Sequence, residues 1–179
     1  MATMLYSATM SLDGFIAGPG GDMSWLTEHL GPNPAVDGLV GEIGALLVGN
    51  RTFRGDDPHR GTPQEGAFGG TWSGPQFVLT HDVPAAPVPG VTFVTDLGAA
   101  VAAATSAAGD RYVNVLGADV AAQCLDAGLI DEILVCVAPV MLGDGVRLLS
   151  RPGGARVRLE RIGLTHVPHA TNIRLRVLR

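Results

Sequence analysis

The hydrophobic residues of the chain fall into short segments that are separated by turn-forming residues. Eight of these segments are rich in β-branched or aliphatic side chains, which is the pattern of β-strands. They are Met4–Thr9, Ala45–Gly49, Gln76–Thr80, Val91–Val94, Tyr112–Leu116, Ile133–Ala138, Arg156–Ile162 and Thr171–Leu178. The last two alternate strictly between polar and apolar residues. The pattern therefore predicts buried strands first and half-exposed strands at the end of the chain.

Three segments between the strands have the composition or spacing of helices. The first, Pro34–Ile43, carries apolar residues at helical spacing. The second, Asp96–Ala107, is rich in alanine and begins with aspartate, a favourable N-cap residue. The third, Asp119–Ala127, also begins with aspartate and is followed by Gly128, a residue that is typical of helix ends. We therefore expect three helices between successive strands.

The order of these elements predicts the fold class. Parallel strands need crossover connections, so alternating strands and helices predict a mainly parallel sheet that is flanked by helices. The two alternating strands at the end predict an antiparallel hairpin with one face in water. The Gly- and Pro-rich stretches 18–21, 55–74 and 84–90 lie between the segments and are expected to be loops. We predict one α/β domain over residues 1–179, with an antiparallel C-terminal hairpin.

Composition and charge exclude several classes of protein. The chain is 46% hydrophobic, yet no apolar run reaches the length of a membrane helix. Its net charge is −5, and all 12 basic residues are arginine. Eight of them lie between Arg147 and Arg179, where Glu160 is the sole acid. The remainder is strongly acidic, which argues against a general nucleic-acid binder.

The cysteines and the first residues of the chain bear on its compartment. Cys124 and Cys136 lie in apolar segments and lack zinc-ligand spacing, so they are expected to be buried thiols. The first residues lack the positive region and apolar core of a signal peptide. We expect a cytoplasmic protein without a metal site.

Three predicted strands run into glycine-containing segments that carry the candidate chemistry. The first leads to Asp13-Gly14 and a loop up to Trp25, the second to residues 49–52, and the third to Gly117 and a helix. Ligands of α/β proteins bind at the carboxyl ends of strands, and the start of a helix favours an anion. Each segment also has a plain structural interpretation: a turn with a core tryptophan, a surface arginine, and tight packing of a strand against a helix.

Taken together, these segments resemble a known family. The residues that carry the resemblance are Ser-Leu-Asp-Gly-Phe-Ile-Ala-Gly-Pro-Gly-Gly-Asp-Met-Ser-Trp-Leu (11–26), Leu-Leu-Val-Gly-Asn-Arg-Thr-Phe (46–53), Ala-Gly-Leu-Ile-Asp-Glu-Ile (127–133) and Ala-Pro-Val-Met-Leu-Gly-Asp-Gly (138–145). In this order they look like the dihydrofolate reductase-like family, and within it like the reductase domain of bacterial riboflavin-biosynthesis deaminase-reductases. No deaminase-type zinc motif precedes them, so we expect the reductase domain alone.

The resemblance implies a fold, an activity and a cofactor. The fold has three layers, with a mostly parallel central sheet between helices and an antiparallel C-terminal hairpin. The implied activity is NADPH-dependent reduction of a pterin-like or ribosylaminopyrimidine substrate, in a homodimer that binds neither nucleic acid nor membrane. The nicotinamide supplies the hydride in such enzymes, and the protein positions the substrate and supplies a proton.

The resemblance also assigns site residues. Those expected at the adenosine-phosphate end of NADPH are Gly49, Asn50, Arg51 and Thr52, with Thr80 and His81 beside the adenine and 2′-phosphate. Those expected under the pyrophosphate are Leu116, Gly117, Ala118, Asp119 and Val120. Those expected to close over nicotinamide and substrate are Ala8, Asp13, Ile16, Ala17 and the loop to Trp25.

Two features differ from the family pattern. The family often has two glycines at the pyrophosphate turn, where this chain has Leu116 and Gly117, so the leucine is expected to crowd the cofactor. The family's acid on the first helix is matched by Asp37, with Glu28 and Glu42 as alternatives. Asp13 and Asp37 are the expected catalytic residues, and together with Trp25 they are the expected substrate contacts. These differences favour a second hypothesis, a ligand-binding protein that keeps the reductase fold without turnover.

Overall fold

A computed structural model describes residues 2–179 as a central eight-stranded sheet with helices on both faces. The strands are β1 Thr3–Ser11, β2 Phe15–Ala17, β3 Ile43–Gly49, β4 Gln76–Leu79, β5 Val91–Val94, β6 Tyr112–Leu116, β7 Glu132–Ala138, β8 Val146–Arg147, β9 Arg158–Val167 and β10 Ala170–Leu178. The order in the sheet is β5-β4-β3-β6-β1-β7-β10-β9, while β2 and β8 form a separate antiparallel pair. Neighbouring strands from β5 to β7 in this order are parallel to each other. Strand β10 is antiparallel to both of its neighbours, β7 and β9.

The helices are short and lie in the connections. They are α1 Pro34–Val40, α2 Asn50–Phe53, α3 Leu97–Ala108 and α4 Ala118–Asp126, with 3-10 turns at Pro19–Gly21 and Ser24–His29. The start of α3 is fixed as the sequence predicts, because the Asp96 carboxylate accepts a hydrogen bond from the Ala99 N–H at 2.8 Å. None of the helices in residues 2–179 is long and apolar enough to cross a membrane.

Two hydrophobic clusters hold the helices to opposite faces of the sheet. The first packs α3 and α4 against alternate strand residues such as Tyr6 and Val115. The second packs Leu39 of α1 against Leu5 and Leu46. Successive residues of a strand point to opposite faces, so the apolar central strands feed both clusters. These three layers confirm the predicted fold class.

Both cysteines are buried, as predicted, and the structure places them on opposite faces of the sheet. Cys124 lies in the first cluster and Cys136 in the second, and both are free thiols. Burial raises the pKa of each thiol to about 11, which keeps both protonated at neutral pH.

Most predicted elements are present, and the boundaries differ where local patterns conflict. The predicted helix Pro34–Ile43 ends at Val40, because Ile43 begins the apolar run that forms β3. Helix α4 begins at Ala118 with Gly117 as N-cap, so Asp119 lies in its first turn instead of capping it. The small pair of β2 and β8 was not predicted, since segments this short have no readable periodicity.

The C-terminal hairpin is present, but its outer strand is more exposed than the alternation predicts. Strand β9 starts two residues later than predicted, at Arg158, and extends to Val167. The strict alternation of polar and apolar residues predicts that the apolar residues of this strand, Leu159 among them, face the core, yet Leu159 is 44% exposed. The prediction for Leu159 was wrong because β9 is the outermost strand of the sheet, and no helix covers it in the described part of the chain.

Candidate active site

The carboxyl ends of neighbouring strands bring most of the predicted residues to one edge of the sheet. Strands β4, β3 and β6 are adjacent and parallel, so Thr80, Gly49 and Gly117 lie side by side at their carboxyl ends. Strand β1 pairs with β6 over its first residues, and its end, which pairs with β7, leads into the loop that contains Asp13. This edge is where open parallel sheets bind their ligands.

Gly117 makes a close approach that other residues would block. Its φ is +108°, and a Cβ built on it would lie 2.5 Å from Thr52 Oγ1 and 3.7 Å from the Gly49 nitrogen. Glycine is required there for both reasons. The backbone after β6 therefore comes next to α2, which joins two of the predicted cofactor segments into one surface.

The neighbouring residues of this turn have separate roles in packing. The Leu116 side chain packs on the second hydrophobic cluster, and Val120 is 1% exposed in the first. Ala118 and Asp119 form the first turn of α4. Leu116 is therefore part of the core, on the face of the sheet opposite the one that α4 covers.

Arg51 and Asp119 form an ion pair across this surface. The Arg51 Nη2 donates to Asp119 Oδ2 at 3.0 Å, and both side chains are largely exposed. Asn50 and Thr52 lie on the same turn of helix, α2. A guanidinium beside the N-terminal turn of α4 gives this part of the edge anion-binding capacity.

A second arginine, Arg54, was missed in the sequence. Its Nε donates to Asn50 Oδ1 at 3.0 Å, and its Nη2 contacts both the carbonyl oxygen and Oδ2 of Asp82. Thr80 is buried, whereas His81 is exposed. The Thr80 hydroxyl accepts from the Asp82 N–H at 3.0 Å. Arg54 lies three residues after Arg51, which is one helical turn, and this spacing is the signal that was available.

Asp13 ties the loop after β1 to the loop after β7. Its carboxylate accepts from the Ser11 hydroxyl at 2.6 Å, from the Leu142 N–H at 3.1 Å and from the Gly143 N–H at 2.7 Å. These bonds, that of Ser11 above all, lower the pKa of Asp13 to about 2. The carboxylate is therefore ionised at neutral pH and positions the loop at this end of the sheet.

The residues around this loop form its frame. Ala8 is half-buried on β1, and Ile16 and Ala17 lie on β2, which pairs with β8. Ala17 is 7% exposed. The guanidinium carbon of Arg147 on β8 lies 4.7 Å from the centre of the buried Phe15 ring. The loop after β1 is thus held by a strand pair as well as by Asp13.

Trp25 presents an unusual donor near this loop. It lies in the 3-10 turn Ser24–His29, and its Nε1 is buried with no hydrogen-bond partner among residues 2–179. A buried indole N–H normally finds an acceptor, so an unpaired one is a candidate ligand contact. The Met23 N–H, two residues earlier, donates to Asp56 Oδ2 at 3.3 Å and links this turn to the loop that follows α2.

The acids of the first helix point away from the sheet. Asp37 is exposed and accepts from the Asn33 N–H at 3.1 Å, which caps α1, and Glu28 and Glu42 are exposed as well. The side chain that the start of α1 buries is Asn33, which exchanges two 2.9 Å hydrogen bonds with Asn172. A catalytic role for Asp37 stays a prediction, and its observed contact is the one that caps the helix.

The carboxyl edge of the sheet offers hydrogen-bond donors for phosphates but no cluster of metal ligands among residues 2–179. Among residues 2–179, no group of three His, Cys, Asp or Glu side chains is placed to hold a metal ion. The edge does provide two arginines, a hydroxyl at Thr52 and a glycine turn, which is a donor set suited to phosphates.

Comparison with known proteins identifies the family. The model of the RibD C-terminal domain matches residues 2–172. The chain belongs to the RibD C-terminal domain family. This is a family of reductase domains of riboflavin biosynthesis. The resemblance inferred from the motifs is therefore confirmed. Membership of the family assigns the chain to the oxidoreductases. No curated protein matches the chain.

Solved structures of this kind share the fold at low sequence identity. A protein named for riboflavin biosynthesis from Shewanella sp. PV-4 has a TM-score of 0.77 and 24% identity over 100% of both chains. The deaminase and 5-amino-6-(5-phosphoribosylamino)uracil reductase of Thermotoga maritima has a TM-score of 0.67 and 19% identity. RibD of Acinetobacter baumannii has a TM-score of 0.70 and 18% identity. The chain spans 57% and 59% of the last two.

Proposed function

We propose that the protein is an NADPH-dependent reductase of a ribosylaminopyrimidine, a pterin or a related heterocycle, working in the cytoplasm. The observation that carries the proposal is the close approach of Gly117 to Thr52, which brings the turn after β6 against the segment after β3 that holds Arg51 and Arg54. This packing sets the N-terminal turn of α4, where free N–H groups favour an anion, beside the guanidinium of Arg51. Family membership and the reductases with the same fold support the reaction class.

In this proposal the residues at the strand ends bind the dinucleotide. Those at its phosphates are Gly49, Asn50, Arg51, Thr52, Thr80, His81, Leu116, Gly117, Ala118, Asp119 and Val120. Those near the nicotinamide are Ala8, Ile16 and Ala17. When bound, NADPH supplies the hydride, while the chain binds, orients and excludes water.

The substrate side rests on three residues. Trp25 Nε1 is a buried donor that lacks an acceptor in the described chain, and a heterocycle nitrogen or oxygen would satisfy it. Asp13 fixes the loop beside the nicotinamide position through its bonds to residues 142 and 143. Asp37 is the proposed proton source, acting through water, since its carboxylate is exposed on α1.

Turnover and binding assays test the reductase. The purified protein is expected to quench and shift NADPH fluorescence. It is also expected to oxidise NADPH, measured as the loss of the absorbance of the reduced nicotinamide, when a ribosylaminopyrimidine phosphate is added. Asp37→Asn is expected to lower turnover without changing NADPH affinity, whereas Asp110→Asn, at an exposed acid just after α3, serves as control. If no dinucleotide binds at millimolar concentration, the cofactor assignment is wrong.

A second candidate function is favoured by the carboxylates. Asp13 is fully engaged with three donors, and Asp37 caps its own helix, so neither is free and buried beside the nicotinamide position. A protein that binds a dinucleotide or heterocycle without turnover would have such a site. NADPH binding combined with no oxidation of NADPH by any pterin or ribosylaminopyrimidine would favour this function over the reductase.

We further propose a homodimer that forms through β9. This strand is the outermost of the sheet, and its Leu159, Ile162 and Leu164 are 44%, 37% and 56% exposed. An exposed edge with apolar side chains is a template for pairing with another strand. A second copy offers the same strand, and antiparallel pairing about a twofold axis is self-complementary.

A further inference from the structure

The central strand β1 is open to a ligand in its carboxyl half. It lies between β6 and β7, yet Ser7 and Thr9 are only half-buried, whereas Leu5 is 0% exposed. Alternate residues of a strand point to one face, so both hydroxyl side chains lie on the face where Leu5 packs against α1. A half-buried stretch of a central strand marks a cleft in the layer above it, and clefts of this kind bind small molecules.

The segment that borders this cleft is residues 12–42, from the end of β1 to the turn after α1. It contains Trp25, whose indole N–H is buried without a partner among residues 2–179. At the start of α1, the Asn33 side chain lies 4.0 Å from the Cys136 sulfur, and Cys136 pairs with Thr9 in the sheet. The start of α1 is therefore held one strand away from the open part of β1.

This segment carries five acids and neither lysine nor arginine. The acids are Asp13, Asp22, Glu28, Asp37 and Glu42, and the first basic residue of the chain other than histidine is Arg51. Charges near a protein surface act over a Debye length of about 8–10 Å. A phosphate monoester carries a charge of about −1.5 to −2 at neutral pH, so it is repelled by a border of this composition.

Arginines of the neighbouring elements are already engaged. Arg174 of β10 lies on the same face of the sheet, where it pairs with Glu132 at 2.8 Å and donates to the Tyr112 hydroxyl at 2.7 Å. Arg147 lies over the ring of Phe15, in the separate pair of β2 and β8. An anion in the cleft would have to compete with Glu132 for the guanidinium of Arg174.

We propose that this cleft takes an uncharged heterocycle that lacks a phosphate group. The inference rests on the proposed function and narrows it, because it concerns the substrate side of the same edge. The Ser7 hydroxyl and the Trp25 N–H are suited to the neutral nitrogens and oxygens of a ring. The acids of residues 12–42 favour amino groups on that ring and disfavour a phosphate.

Titration of the whole protein with two matched pyrimidines tests the inference. One is 5-amino-6-(5-phosphoribosylamino)uracil, the compound in the name of the Thermotoga maritima enzyme, and the other is the same compound without its phosphate. Calorimetry is expected to show that the compound without phosphate binds about tenfold more tightly. Added salt is expected to strengthen binding of the phosphorylated compound alone, because screening weakens the repulsion. A guanidinium that contacts the phosphate would give the opposite salt dependence.

Two variants with matched controls locate the effect. Glu28→Arg is expected to strengthen binding of the phosphorylated compound several-fold, whereas Asp110→Arg makes the same change before β6, at the opposite edge of the sheet, and is expected to change neither affinity. Ser7→Ala is expected to weaken both compounds equally, by about threefold. Ser106→Ala, at an exposed serine of α3, is expected to weaken neither.

The outcomes separate this inference from the proposed function. The inference is overturned if the wild type binds the phosphorylated compound more tightly, or if Arg147→Gln weakens that compound alone, which would place the phosphate at β8. NADPH binding in either case still supports the dinucleotide site. NADPH binding without binding of either pyrimidine overturns the inference and leaves a dinucleotide-binding protein. If neither pyrimidine nor NADPH binds, the proposed function fails as well.

Discussion

Single residues at the candidate site are constrained by what touches them. Gly117 has a left-handed backbone and lies against Thr52, whereas Gly109 has a φ of +68° with nothing near its position. A side chain at Gly109 would therefore cost only the energy of an unfavourable backbone conformation, whereas one at Gly117 would also overlap with Thr52. A side chain with positive φ costs on the order of 1–3 kcal/mol, and overlap with a neighbour adds to this.

The comparison of these glycines gives a prediction. Gly117→Ala is expected to lower the free energy of unfolding by about 1–3 kcal/mol more than Gly109→Ala does. Gly117→Ala is also expected to weaken NADPH binding, whereas Gly109→Ala is expected to leave it unchanged. Urea denaturation and fluorescence titration measure the two effects. Adding Thr52→Ala to Gly117→Ala is expected to restore part of the lost stability, because it removes the crowded Oγ1. Equal losses in the two glycine variants would refute the steric part.

Asp13 predicts a pH dependence of stability. Its pKa is lowered from 3.8 to about 2 in the folded protein, so its bonds stabilise the fold above the unfolded value and this contribution is lost as pH falls toward 2. The difference in unfolding free energy between the wild type and Asp13→Asn is expected to be largest above pH 3.8 and to shrink below it. Chemical denaturation at several pH values measures this, with exposed Asp110→Asn as the control. A difference that stays constant over this range would contradict the assigned bonds.

At the scale of elements, helix α3 depends on its cap. The helix is 12 residues long and its alanines Ala100, Ala104 and Ala108 are buried against the sheet. Alanine contributes little burial per residue, so the first turn matters for its stability. The Asp96 carboxylate satisfies one of the free N–H groups there.

Asp96→Ala is expected to lower the unfolding free energy by about 1 kcal/mol, the usual value of an N-cap. Asp110→Ala removes an exposed aspartate just after the same helix and is expected to have almost no effect. The midpoint of urea denaturation reports both variants. A loss for Asp110→Ala as large as that for Asp96→Ala would mean that net charge, and not the cap, sets the stability.

At the scale of the whole molecule, β9 is a ten-residue strand that leaves one edge of the sheet open in the described part of the chain. If two copies pair through β9, then Leu164→Lys places a charge on the edge and is expected to give a monomer, because charged side chains prevent edge pairing. Light scattering should then give 18.5 kDa for the variant and about twice that mass for the wild type. Val83→Lys, at an exposed apolar residue between β4 and β5, is the control. A wild type of 18.5 kDa would rule out the dimer.

The arrangement of strands and the edge of the sheet could be predicted from the sequence, because apolar runs and glycine punctuation are local signals. The direction of side chains on short elements could not. Arg54 and Arg51 are one turn apart, yet their opposite reach depends on the order of β4, β3 and β6 in the sheet. Similarly, the position of Asp37 along α1 matches that of the family's acid, but Leu39 turns the helix so that it packs on the second cluster and Asp37 is exposed.

The two buried thiols can report separately on local unfolding of the two faces of the sheet. Cys124 is a buried residue of α4 on one face of the sheet and Cys136 of β7 lies on the other, and each is 5% exposed or less. A thiol reagent reaches either one only after local or global opening, since buried protonated thiols are inert. Labelling rates of Cys124→Ser and Cys136→Ser then report which layer detaches first. If the rates are equal, the two layers open as one cooperative unit.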